Sequence, residues 1–241
     1  MKKLFTIIML LMTATSFSQT ITKNYAPGLR IRIDGSVPGQ LKPCDVFYPG
    51  GGFVSQNWSI CNTWSQMSVD SGHVSCRCGY STTFLFPTKD AAIRGIKDGL
   101  LSIQWIKKHW REYGIDTNRI TLYGTSAGGF VTFAPYYYPG NDVYCIVNGW
   151  GAVLDPSVLG NAKIPVFNIS TDIDKTVPIG CGSSFGVSCC GSKFIGEELT
   201  ARGVKNAWLV FEGYKHGLTP KDGQYNDRIQ QCFIQAQKFE K

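Results

Sequence analysis

Short runs of apolar, β-branched or aromatic residues recur along the chain at Leu29 to Ile33, Asp45 to Tyr48, His73 to Cys78, Arg119 to Tyr123, Val143 to Val147, Pro165 to Ile169 and Ala207 to Phe211. Their length and composition predict strands. A different period occupies Asp90 to Tyr113, where Ile93, Ile96, Leu100, Ile103 and Ile106 return at helical spacing while Lys97, Lys107 and Lys108 face away. This is an amphipathic helix stopped by Gly114. Further helices are expected from Ser126, over about Lys193 to Ala201, and from about Asp222 to Phe239. Tyr136, Tyr137 and Tyr138 are expected at the end of the second, which Pro135 and Pro139 limit. Strands that alternate with helices after the first two or three predict an α/β fold: a mostly parallel sheet covered on both faces, with an antiparallel start. In such sheets ligands gather at the carboxyl ends of the strands.

The first residues break this rhythm. Lys2 and Lys3 precede an apolar run from Leu4 to Met12, and small polar residues follow, suiting a cut after Ser18. The run is too short for a membrane anchor, which needs roughly 20 residues. Residues 1–18 are therefore expected to be a signal peptide, the product to be secreted or periplasmic, and residues 19–241 to form one catalytic domain without a transmembrane segment. The chain carries a formal charge of +7, of which Lys2 and Lys3 supply two units. The rest is spread without a basic block, so a nucleic-acid partner is not expected. Export places the nine cysteines where disulfides persist, and some bridges are expected. Cys76 and Cys78, one residue apart with no second pair, do not make a zinc pattern.

Gly124-Thr125-Ser126-Ala127-Gly128 has the form G-x-S-x-G, in which small flanking residues let a strained serine project its hydroxyl above a sheet. Gly182-Ser183-Ser184-Phe185-Gly186 has the same form. Only the first follows a predicted strand and opens a predicted helix. Ser126 is therefore the candidate nucleophile, and Ser184 is expected to be a loop residue.

The stretch from Tyr113 to Gly129, with Gly-Thr-Ser-Ala-Gly-Gly at its end, resembles the GxSAGG branch of the α/β-hydrolases, the carboxylesterase and hormone-sensitive-lipase-like enzymes. The resemblance runs from about Leu41 to His216. It implies an α/β-hydrolase fold with no metal or organic cofactor. It also implies that the segment Tyr48-Pro-Gly-Gly-Gly-Phe53 is the oxyanion loop, with Gly51, Gly52 and Ala127 as the backbone donors. Pro49 stands where the family usually has histidine, which removes a side chain that would support that loop.

A serine nucleophile needs a base, with a carboxylate behind it. Of the three histidines, His109 falls on the charged side of a helix and His73 opens a strand, whereas His216 lies in a loop after the last strand. The family order of Ser, Asp and His selects His216. In Ser170-Thr-Asp-Ile-Asp-Lys-Thr-Val-Pro178 the Val-Pro register favours Asp174 as the acid over Asp172.

The activity expected is hydrolysis of carboxylic esters, small or polymer-linked, through an acyl-enzyme. A peptidase on the same triad and a noncatalytic carbohydrate-binding protein are the alternatives. Few residues separate the strand at Val143 from Asp174, so little or no lid is expected. Trp58, Trp64 and Trp150 are candidates to wall the substrate cleft.

Overall fold

The computed structural model describes residues 20–218 and 223–240. The segment read as a signal peptide lies outside them. Among the described residues there are eleven strands: β1 (Ile21–Ala26), β2 (Leu29–Asp34), β3 (Lys42–Tyr48), β4 (Val74–Cys78), β5 (Ile115–Thr125), β6 (Cys145–Gly149), β7 (Ala152–Val153), β8 (Val166–Thr171), β9 (Cys181–Ser184), β10 (Val187–Gly191) and β11 (Asn206–Phe211). Seven α-helices accompany them: α1 (Ser59–Asp70), α2 (Lys89–Lys108), α3 (Trp110–Tyr113), α4 (Ala127–Thr132), α5 (Ala134–Tyr137), α6 (Ser192–Ala201) and α7 (Tyr225–Glu240).

Eight strands form one sheet in the order β1-β2-β4-β3-β5-β6-β8-β11. Every pairing from β4 to β11 is parallel, and the β1–β2 hairpin attaches antiparallel at one edge. The central strands are apolar on both faces because both faces are covered. Val46, Leu122, Ile146 and Val166 pack toward α2, α4, α5 and α6, while their neighbours Phe47, Tyr123, Val147 and Phe167 pack toward α1 and α7.

Two elements have weak signatures in the sequence. β1 presents mostly polar side chains and borrows its order from β2. α1 buries Cys61, Trp64, Ser65 and Ser68, a helical spacing carried largely by small polar residues that a search for apolar periodicity passes over. α2 ends at Lys108, five residues before the expected boundary, with His109 as its cap, and a separate turn, α3, completes the segment up to Gly114 in the left-handed conformation (φ 64°). The predicted start of the last helix, Asp222, lies outside the described residues, and the helix is seen from Tyr225.

Disulfide formation is confined to one bridge among the described cysteines, Cys181–Cys190, which joins the two strands of the β9–β10 hairpin. The other seven, including Cys76 and Cys78, are buried thiols in the core. The hairpin pairs with β7 in a second, three-stranded sheet.

The last turn of α7 brings Glu240 under the main sheet, where the Tyr123 hydroxyl donates to Oε1 at 2.6 Å. Burial, and then the neighbouring charge of Asp45, push its carboxyl up to about 7. A carboxyl whose folded pKa exceeds its unfolded one holds its proton longer in the native state, so stability falls as pH rises from the ordinary carboxylate range through about 7. Glu240→Gln keeps an oxygen for Tyr123 and removes the buried charge. Thermal unfolding should show it unchanged near pH ~4 and more stable than the parent by on the order of 2 kcal/mol near pH ~8.

Candidate active site

Ser126 sits where β5 gives way to α4 at the carboxyl end of the sheet, with φ 53° and ψ −121°. A non-glycine residue at positive φ carries strain that its surroundings must offset. Here the Ser126 N–H donates to Gly149 O at 2.7 Å, and Ser126 O accepts from Gly129 N at 2.8 Å. The flanking glycines are required by contact: a Cβ at Gly124 would stand 2.1 Å from Gly128 O, and one at Gly128 would stand 2.1 Å from Tyr48 O. The motif therefore packs a turn between the helix and the glycine loop so tightly that only hydrogen fits at two positions.

His216 reaches Ser126 from the segment after β11. Its Nε2 lies 2.8 Å from Ser126 Oγ and its Nδ1 lies 2.7 Å from Asp174 Oδ2. With the proton on Nδ1, that nitrogen donates to the carboxylate and Nε2 is left to accept from the serine hydroxyl. Leu218, buried at positive φ (62°), ties the histidine segment into the core beneath α7. The Asp174 side chain is only 2% exposed, and its Oδ1 accepts from the N–H groups of Thr176 at 2.8 Å and Val177 at 3.0 Å. One oxygen is thus pinned by backbone and the other is aimed at the imidazole. Asp172 is exposed and accepts from Gly213 N at 2.7 Å, so it ties the end of β8 to the turn that leads to His216 without touching the ring.

The other two histidines are elsewhere. His73 pairs through Nδ1 with Asp45 at 3.0 Å, and this contact raises its pKa. His109 closes α2, with Nδ1 2.8 Å from Trp105 O and its ring stacked on Trp105.

The glycine loop follows β3 and folds back on itself. Gly51 (φ 130°) and Gly52 (φ 62°) both need conformations that side chains resist, and a Cβ on Gly51 would stand 2.3 Å from Ser55 O. Gly50 and Gly51 line a hollow on the His216 side of Ser126, and Gly52 and Ala127 line one on the other side. Ala127 opens α4, so its N–H has no partner within that helix. Pro49 is braced by a residue the sequence did not single out. The hydroxyl of buried Tyr80 donates to Pro49 O at 2.7 Å, and Gln56 Nε2 donates to Tyr80 O at 2.6 Å. An isolated bridge between Gly50 and Asn57 closes the turn. Support that the family takes from a histidine side chain comes here from a tyrosine about thirty residues downstream.

The hollow shared by Gly52, Ala127 and Ser126 is narrow and walled mainly by apolar groups, including Phe53, Phe130, Val177 and Phe185. The β9–β10 hairpin supplies one wall. Ser184 is therefore not a loop residue: it ends β9 and lines this hollow, and no histidine is bonded to it. The hollow on the His216 side is larger and mixed in character, with Ser55, Asn57 and Ser59 beside Ile60, Trp150 and Tyr225.

The three tryptophans separate. Trp150 borders the His216-side hollow, at positive φ (55°), and its indole N–H is buried without a partner among the described residues. Trp64 does not wall a cleft. It is fully buried on α1, and its Nε1–H donates to Ile229 O at 2.8 Å, so it is a core residue that clamps α1 to α7. Trp58 lies at the start of α1 and lines a different hollow, away from Ser126. Among the described residues no group of three or more His, Cys, Asp and Glu could hold a metal, and no helix is long and apolar enough to cross a membrane.

Residues 39–134 match the BD-FAE family model. The chain is 28% identical over 227 residues to chlorogenic acid esterase of Aspergillus niger, covering 83% of this chain and 42% of that protein. It is 27% identical over 118 residues to secreted lipase 5 of Gibberella zeae, covering 44% of this chain and 22% of that protein. It thus spans less than half the length of these curated relatives. Among solved structures, esterase 2 of Thermogutta terrifontis phosphonylated by sarin superposes with a TM-score of 0.74 at 17% identity, covering 93% of this chain and 95% of that one. MGS-M1, an α/β-hydrolase enzyme from a Medee basin deep-sea metagenome library, superposes with a TM-score of 0.72 at 17% identity, covering 92% and 96%. These likenesses establish an α/β-hydrolase fold.

Proposed function

We propose, from the premise that the chain belongs to the α/β-hydrolase carboxylesterases, that it is an exported serine esterase working through Ser126, His216 and Asp174. The observation that carries the reading is the unbroken hydrogen-bonded line from Ser126 Oγ through both imidazole nitrogens to a buried carboxylate. His216 Nε2 takes the serine proton as Oγ attacks the ester carbonyl, and Asp174 holds the ring and stabilises the imidazolium. The N–H groups of Gly51, Gly52 and Ala127 receive the oxyanion; each such donor is worth on the order of 3 kcal/mol of barrier. The imidazolium then protonates the departing alkoxide, and water, activated by the same nitrogen, releases the acid. Similarity to a secreted lipase and the Leu4 to Met12 run both support export.

The proton path also orients the substrate. The leaving oxygen must lie within reach of His216 Nε2, so the alcohol occupies the hollow that His216 lines, where Ser55, Asn57 and Ser59 offer hydrogen-bonding groups beside Ile60, Trp150 and Tyr225. The acyl group then occupies the apolar hollow between Phe53, Phe130 and Phe185. The likeness to a chlorogenic acid esterase supports, as the substrate class, an apolar acid esterified to a polyol.

Purified protein assayed with p-nitrophenyl acetate, butyrate and octanoate tests the reading. Each methylene that enters an apolar pocket contributes about 0.8 kcal/mol, roughly fourfold in kcat/KM, until the pocket is full. Butyrate should therefore exceed acetate by about tenfold, with octanoate no better than butyrate. A strong preference for emulsified long-chain triglyceride would overturn the substrate class. Absence of both turnover and labelling by a fluorophosphonate would overturn the esterase reading itself.

A further inference from the structure

β2 and β4 place three arginines on one face of the sheet, beside the amino end of α1. Arg30 and Arg32 are two residues apart on β2, both exposed, while Ile31 and Ile33 between and beyond them are buried. They therefore project from the same side. Arg77 on β4 is the direct antiparallel partner of Arg32. Like charges directly opposite each other across a ladder are destabilising. A single carboxylate compensates the group: Asp34 accepts from Arg77 at 2.8 Å, and Arg77 also donates to Asn62 Oδ1 at 2.8 Å. Neither Arg30 nor Arg32 has an ion-pair partner among the described residues. Arg30 and Arg32 border a surface hollow that Arg77, Gln56 and Trp58 complete.

This hollow is the neighbour of the alcohol side of the active site. Along the segment from Ser55 to Trp58, Ser55 and Asn57 line the hollow that holds Ser126 and His216, whereas Gln56 and Trp58 line the arginine hollow. The segment's backbone therefore forms the partition between the two hollows. Trp58 offers an aromatic surface and the arginines offer planar, bidentate donors.

We propose that the Arg30–Arg32–Arg77–Trp58 hollow is a binding subsite for an acidic saccharide, a uronate-bearing chain whose esterified unit sits in the alcohol hollow beside His216. The carboxylates replace the counter-charge that the sheet itself does not provide, and the sugar ring covers Trp58. The position of the ester unit rests on the esterase reading; the binding of the acidic chain does not.

The test is calorimetric titration of Ser126→Ala protein with the trimer of galacturonic acid, the trimer of galactose and a sulfated galactose trimer, at low salt. The galacturonate trimer should bind at least about tenfold more tightly than the neutral trimer, and added salt should shrink the difference. Arg30→Gln/Arg32→Gln in the same background should abolish it, while in the active background this double variant should hydrolyse p-nitrophenyl acetate like the parent. Equal affinity for the acidic and neutral trimers, or a difference that survives the double variant, would overturn the subsite. A preference for the sulfated trimer over the galacturonate trimer would overturn the uronate assignment. Failure of the esterase reading appears separately, as no turnover of p-nitrophenyl acetate by the parent, and leaves the titrations interpretable.

Discussion

Ser126→Ala is expected to lower kcat for p-nitrophenyl butyrate by about 10⁴- to 10⁶-fold, while Ser184→Ala changes it by less than about threefold. The contrast is informative because both serines occupy G-x-S-x-G and both line the apolar hollow. Their difference lies in what stands behind the hydroxyl. Ser126 Oγ has a histidine nitrogen at 2.8 Å, and its backbone is forced to positive φ at the entrance to α4. Ser184 ends a strand of the disulfide-linked hairpin, and its φ is ordinary; the positive φ there belongs to Phe185. A folded Ser126→Ala protein should also lose fluorophosphonate labelling, whereas Ser184→Ala should keep it. If Ser184→Ala removes the label, the nucleophile has been misplaced and the hairpin carries the chemistry. Because the alanine leaves the backbone of the turn intact, unchanged thermal unfolding will separate a chemical loss from a structural one.

The sheet and the tight turn at Ser126 were readable because they rest on local rules. Val46-Phe47 and Leu122-Tyr123 are apolar at consecutive positions, which only a strand buried on both faces tolerates, and the glycines of the serine turn mark contacts too close for a side chain. The elements that escaped were those whose order comes from elsewhere in the chain. α1 is held by Trp64, whose indole donates to a carbonyl of α7 about 165 residues away, and the other three residues of its inner face are serine or cysteine. The same gap made Trp64 look like a cleft residue: without the helix, nothing in the local sequence said that it points inward. Tyr80 is a similar case. Its hydroxyl braces Pro49 across the gap between β3 and β4, and no spacing rule connects a glycine loop with a tyrosine after the next strand. The β9–β10 hairpin, rich in glycine, serine and cysteine, lacked the apolar alternation of a strand, so its place as a wall of the hollow beside Ser126 emerges only in three dimensions.

The choice between Asp174 and Asp172 yields the second large effect. Asp174→Asn is expected to lower kcat by about 10⁴-fold, and Asp172→Asn by less than about threefold. In the parent, Asp174 Oδ1 is fixed by the N–H groups of Thr176 and Val177, so an asparagine at 174 keeps its oxygen there and turns its amide nitrogen toward His216. An amide donor facing Nδ1 selects the tautomer with hydrogen on Nε2. That nitrogen then donates to Ser126 Oγ instead of accepting from it, and the base is lost while the geometry stays. Asp172 offers no such lever. Its Oδ1 accepts from Gly213 N, and asparagine presents the same oxygen to the same donor. Near-neutral pH, where the parent histidine must be free to accept, is the condition for the comparison. A large loss in Asp172→Asn with activity retained in Asp174→Asn would transfer the acid to Asp172, and would require the turn after β8 to rearrange when substrate binds. The geometry favours the first outcome, because the Asp174 carboxylate is almost entirely shielded from water and, among the described residues, imidazole is its side-chain partner besides the two backbone N–H groups.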